Sequence, residues 1–141
     1  MKKILVGISG ASGAPIAIRL LKRLREMADV ETHLIMTKGA ELTITNYGAK
    51  IVSLMVPDRS GKLTDVSSLG ECPASGSFKM DAMIIVPCSM KTAAGIASGY
   101  SDNLLLRAAD VTLKEARQLV LVARESPLSP VHLRNLHELS S

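Results

Sequence analysis

Short unbroken apolar runs and longer amphipathic stretches take turns along this chain. Residues 3–7 (KILVG), 31–36 (ETHLIM), 82–86 (AMIIV) and 118–122 (QLVLV) are brief and rich in β-formers, which predicts four strands, the third stopped by Pro87. Apolar runs bounded in this way suit parallel strands covered on both faces. Between them the spacing turns helical. Residues 14–27 place Ile16, Ile18, Leu20, Leu21 and Leu24 on one side and Arg19, Lys22, Arg23 and Arg25 on the other, with Pro15 in the first turn. Further helices are expected at 39–47, ending near Gly48, at about 90–98, at 103–116 and at 130–139. Residues 57–77 are rich in Ser, Gly, Pro and Asp and read as one long loop.

Strand–helix alternation predicts an α/β fold: a three-layer αβα arrangement around a flavodoxin- or Rossmann-like parallel sheet. With 141 residues, no internal repeat and no linker, residues 1–141 are expected to form one domain. In a 2-1-3-4-5 order the fourth strand is an exposed apolar edge, an aggregation liability. On this pattern the sheet is C-terminally short: a partner subunit covers the edge, or a fifth strand is missing from this chain.

Composition narrows the function. Hydrophobic residues make up 47% of the chain, enough for a substantial core, but Phe78, Tyr47 and Tyr100 are its only aromatics. Stacking on single-stranded nucleic acid is therefore disfavoured. The net charge of +4 comes from 17 basic and 13 acidic residues without a basic stripe, which speaks against nucleic acid as a partner. Cys72 and Cys88 lack CxxC spacing and read as reduced thiols of a cytoplasmic protein. The opening MKKILVGISGASGA resembles a signal peptide, but Gly7 and Gly10 interrupt it and a charged helix follows, so it reads as a first strand. No stretch approaches the roughly 20 apolar residues of a membrane span.

Ligands of doubly wound sheets bind beyond the carboxyl ends of the strands, so the loops found there are compared. After the first strand come Ser9, Gly10, Ala11, Ser12 and Gly13, ahead of a helix whose N–H groups point into the loop. The glycines permit close backbone approach, and the two hydroxyls can add hydrogen bonds to an anion. The spacing is neither GxGxxG nor a Walker motif, so a monophosphate fits better than a dinucleotide or nucleoside triphosphate. A turn that only reverses the chain explains the loop as well. Thr37 after the second strand is a weak signal alone, since a helix cap is the common explanation for it. After the third strand, Pro87-Cys88-Ser89-Met90-Lys91-Thr92 sets two hydroxyls and an ammonium at another helix start. Arg124 and Glu125 follow the fourth strand, either as a surface ion pair or as groups that bind and protonate a ligand. Gly10-Ala11-Ser12-Gly13-Ala14 departs from a GxSxG nucleophile elbow at Ala14; Asp110 and His132 would complete Ser–Asp–His order. His132 and His137 stand five apart, unlike the i,i+4 pair of a metal site, and with His33 they read as surface or core residues. No metal is expected.

Taken together, residues 7–14 (GISGASGA), 75–78 (SGSF), 87–92 (PCSMKT), 103–115 (NLLLRAADVTLKE) and 119–129 (LVLVARESPLS) resemble the UbiX/Pad1 flavin prenyltransferases over essentially the whole chain. That family was formerly described as aromatic-acid (3-octaprenyl-4-hydroxybenzoate) decarboxylases. The resemblance implies transfer of a dimethylallyl unit from dimethylallyl phosphate to N5 and C6 of reduced FMN, without a metal. The product, prenylated FMN, is the cofactor of UbiD-type decarboxylases. It implies that Gly10, Ala11, Ser12, Thr37, Ser89, Met90, Lys91, Thr92 and Arg124 bind FMN. Glu125 would be the acid/base group, with Lys114 and Ser12 assisting. It also implies a homo-oligomer, a dodecamer in relatives, with FMN between subunits. Relatives continue past the position of Ser141 with a strand and a segment whose Tyr and Arg grip the prenyl phosphate. Many carry a Glu about where this chain has Tyr47. Two alternatives follow: an FMN-binding protein without transferase activity, and a flavin-dependent decarboxylase of the cysteine-decarboxylase type. The His and the PxMNxxMW-like loop typical of the latter are not seen in this sequence.

Overall fold

The computed structural model describes residues 2–10, 14–37, 62–65 and 80–141. Among them the chain runs β1 (Lys2–Ile8), α1 (Ala14–Glu26), β2 (Val30–Met36), β3 (Lys62–Asp65), β4 (Ala82–Cys88), α2 (Met90–Ser98), α3 (Leu104–Lys114), β5 (Gln118–Ala123) and α4 (Pro130–Ser140). The strands form one parallel sheet in the order β3-β2-β1-β4-β5. The four expected strands thus take the 2-1-3-4 order of a flavodoxin-like sheet. The short strand β3 corrects the reading of 57–77 as loop throughout: Lys62–Asp65 pairs with His33–Met36 at the sheet margin. The helix expected at 39–47 lies outside the described residues.

The alternating pleat sends residues to two faces. Leu5, Ile35, Met83 and Ile85 form one buried cluster with Ala93, Ile96, Leu104, Leu105, Ala108 and Ala109 from α2 and α3. Val6, Ile8, Leu34, Met36 and Val86 form the other with Ala17, Leu21 and Leu24 of α1. The i, i+4, i+7 spacing of those three α1 residues is its core stripe; Ile16, expected on it, is exposed.

Two close approaches set the helix seats. A Cβ on Gly7 would collide with Leu105 of α3. One on Gly95 would lie 2.9 Å from Leu106 Cδ2. Glycine at these positions lets α3 lie close over β1 and against α2.

Pro87 does not stop β4, which continues to Cys88. The β4–β5 register shifts between Ile85 and Cys88, so the residue without an N–H falls where the ladder is interrupted. The apolar fourth strand of the sequence pattern is β5, the sheet margin among the described residues, with Val120 exposed.

Candidate functional site

The strand order reverses direction between β1 and β4, so the carboxyl ends of these two neighbouring strands mark the switch point of the sheet. Ser9, buried at the end of β1, ties the two loops together. Its hydroxyl donates to the Pro87 carbonyl at 2.7 Å and accepts from the Ser89 backbone N–H at 2.7 Å. The expectation that Ser9 offers its hydroxyl to an anion is therefore corrected: its proton is committed to a carbonyl. Thr37 N donates to Ile8 O at 3.0 Å and draws the end of β2 to the same place.

Ser89 caps α2. Its Oγ accepts from Thr92 N at 3.1 Å and donates to Thr92 Oγ1 at 3.0 Å. Beyond these strand ends lies a cavity of about 790 Å³. It is lined by Ser9, Gly10, Thr37 and Ser89 at the strand ends, by residues of α2 from Lys91 and Thr92 onward, by Tyr100, Asp102 and Asn103 of the turn into α3, and by Leu106 of α3. The volume falls within the range of small-molecule sites. The α2 amino terminus, two hydroxyl side chains and the Lys91 ammonium make this part of the lining suited to a phosphate.

Of the residues singled out from sequence, Gly10, Thr37, Ser89, Lys91 and Thr92 are brought together here. Met90 opens α2, half-buried, outside the lining. Ala11 and Ser12 lie outside the described residues. Arg124 and Glu125 are exposed and follow Ala123, which pairs with Cys88, so they stand at the same end of the sheet beside the Ser89 loop without lining the cavity. Lys114 is placed elsewhere. It ends α3, eight residues beyond Leu106, the last α3 residue that lines the cavity, and is thus about 12 Å away along the helix axis.

Tyr100, Asp102 and Asn103 were missed as lining residues. The signal was the polar turn SDN ahead of an apolar helix, which reads as a cap. Asn103 does cap α3, accepting from Leu106 N at 2.8 Å. His132 does not complete a hydrolase triad. Its Nδ1 accepts the Ser129 N–H at 3.1 Å, whereas a triad histidine donates from Nδ1 to a carboxylate. His33 is buried in β2 with Nε2 2.8 Å from Glu31 Oε1. Cys88 is buried, and desolvation pushes its thiol up to about 12, so it stays protonated and unreactive. Among the described residues no group of three His, Cys, Asp or Glu gathers as a metal site, and no helix is long and apolar enough to cross a membrane.

Fold and cleft define a doubly wound α/β protein with a polar-lined crevice at its switch point. A family model described as Flavoprotein matches residues 1–141. A probable UbiX-like flavin prenyltransferase of Escherichia coli is 52% identical over 141 residues, covering 98% of this chain and 70% of that protein. Two solved structures superpose with a TM-score of 0.93. One is a dodecameric FMN-dependent UbiX-like decarboxylase from Escherichia coli O157:H7, 48% identical, covering 98% of this chain and 74% of the other. The other is AnUbiX (PadA1) in complex with FMN and dimethylallyl pyrophosphate, 46% identical, covering 99% and 73%. The chain belongs to the flavoprotein family and, within it, to the UbiX-like flavin prenyltransferases.

Proposed function

We propose that this chain is a flavin prenyltransferase that joins a dimethylallyl unit from dimethylallyl phosphate to reduced FMN. The observation that carries the reading is the switch-point cleft, whose phosphate-suited wall is built from the loops that the family resemblance marks for FMN. The product, prenylated FMN, passes to a UbiD-type decarboxylase, and the protein works in the cytoplasm as a single domain.

FMN is the substrate in this scheme. Gly10, Ala11, Ser12, Thr37, Ser89, Met90, Lys91, Thr92 and Arg124 hold it. The N–H groups at the start of α2 and the Lys91 ammonium offset phosphate charge. One bond forms at flavin N5, which gives up its proton, as the donor's C–O bond breaks with its electron pair leaving on phosphate; the second forms at C6, which gives up its proton, as the prenyl C=C double bond is opened by taking up a proton. The site therefore needs a group that accepts and returns protons, and Glu125 is that group, assisted by Ser12. Arg124 and Lys114 stabilise charge on the departing phosphate. Lys114 lies about 12 Å along α3 from its own cleft, so it serves the cleft of a neighbouring subunit in a homo-oligomer.

Glu125→Gln and Lys91→Met test these roles. The Gln variant is expected to keep FMN affinity, read by flavin fluorescence, and to lose about 100-fold or more in transfer rate. The Met variant is expected to weaken FMN much more than riboflavin, which lacks the phosphate. Wild-type transfer by Glu125→Gln removes that residue from the chemistry. Equal weakening of FMN and riboflavin by Lys91→Met contradicts the phosphate assignment.

A further inference from the structure

The turn that carries Arg124 and Glu125 is short and exposed. It leaves β5 after Ala123 and enters α4 at the cap Ser129, and residues 124–128 between these points are all exposed. Pro127 and Pro130 restrict two backbone angles of the strap. At one end β5 is held by its ladder to β4.

The other end is held differently. α4 has no fully buried residue. Leu136 and Leu139, in its second half, pack against the core, whereas Val131 and Leu133 in its first half are exposed by 51% and 54%. Apolar burial thus seats the end of the helix and not its start. The start is fixed by a capping box. Ser129 Oγ accepts from His132 N at 3.1 Å, and His132 Nδ1 accepts from Ser129 N at 3.1 Å. The usual residue in the second role is Glu or Gln. A backbone N–H can only donate, so this histidine carries a lone pair on Nδ1 and its ring proton on Nε2.

We propose that His132 is a positioning residue for the reaction: by closing this box it fixes where α4 begins and so where Arg124 and Glu125 stand beside the Ser89 loop. The proposal rests on the reading of Glu125 as the acid/base group. It concerns the turn alone, since the cavity wall formed by Ser9, Ser89 and Thr92 is held by its own hydrogen bonds.

The test compares His132→Leu, which fills similar space without an acceptor, with His132→Gln, which restores the box. Hydrogen exchange of the peptide spanning 124–132 is expected to speed up in the Leu variant and return to within about twofold of wild type in the Gln variant. Transfer kcat is expected to fall about 10–100-fold in the Leu variant, with a much smaller loss of FMN affinity through Arg124, and both are expected to recover in the Gln variant. Wild-type exchange and kcat in the Leu variant overturn the proposal, as does a Gln variant as impaired as the Leu one. If His132→Leu does not fold, His132→Asn, too short to reach back to Ser129 N, takes its place. If Glu125→Gln leaves transfer unchanged, the acid/base reading has failed, and the exchange comparison still decides whether His132 holds the turn.

Discussion

Ser9 does two jobs with one hydroxyl. It accepts the N–H of Ser89 after β4 and donates to the carbonyl of Pro87 within β4, joining residues 80 and 78 positions apart in the chain. Removing it leaves the Ser89 amide without this partner and the Pro87 carbonyl with only the longer bond from the backbone N–H of residue 9 at 3.3 Å. Ser9→Ala is therefore expected to lower stability by about 1–3 kcal/mol, read as a reduced urea midpoint at unchanged slope. Cys88 gives a prediction in pH. Its thiol ionises near 9 when unfolded and near 12 in the fold, because burial disfavours the thiolate. Below about pH 9 both states hold the proton and the stability it carries is whole; from about 9 to about 12 the unfolded chain releases its proton first and that stability is lost. The stability difference between wild type and Cys88→Ala should thus narrow as pH rises from about 8 to about 11, and a constant difference contradicts this burial effect. The two residues were not equally legible. A buried cysteine could be expected from its apolar neighbours, but a partner 78 residues away leaves no local trace, so Ser9 read as a ligand group.

At the scale of elements, close packing of α3 on β1 depends on Gly7. Gly7→Ala drives a methyl into Leu105 and is expected to cost about 1–3 kcal/mol. Because the obstacle is one side chain, Leu105→Ala in the same protein should relieve part of that strain; the double variant should be more stable than the sum of the singles implies. Simple additivity in thermal melts contradicts this source of strain. The strands and helices with strong periodicity were legible: four strands, α1 and the three helices after β4 stand within a few residues of their expected places. β3 was not. Its four residues, KLTD, alternate too briefly and sit among turn formers, so only pairing with β2 makes them a strand. Pro87 was read as a stop because a proline removes a ladder donor; the register shift beside it made room for the strand to continue.

At the scale of the whole molecule, strand order decides where chemistry can occur. It sets the ends of β1 and β4 side by side, and Gly10, Ser89, Lys91 and Thr92, all visible in the sequence, come to line one cleft. Tyr100 and Asp102, which also line it, were not legible as cleft residues because the polar turn they belong to reads only as the approach to a helix cap. The same geometry sends Lys114 away from its own cleft. Light scattering is accordingly expected to find a homo-oligomer. Subunits bearing Lys114→Ala and subunits bearing Glu125→Gln, each nearly inactive alone, should regain transfer when dissociated and reassembled together. A stable active monomer, or mixtures no better than the separate variants, contradicts action across the interface.

The central claim is that this cleft carries out prenyl transfer to FMN. Its most direct test is anaerobic incubation of the purified protein with reduced FMN and dimethylallyl phosphate, followed by mass spectrometry of the released flavin. A flavin heavier by one prenyl unit is expected, formed only when protein and donor are both present. FMN bound and recovered unmodified would contradict the transferase reading and leave a flavin-binding protein in its place.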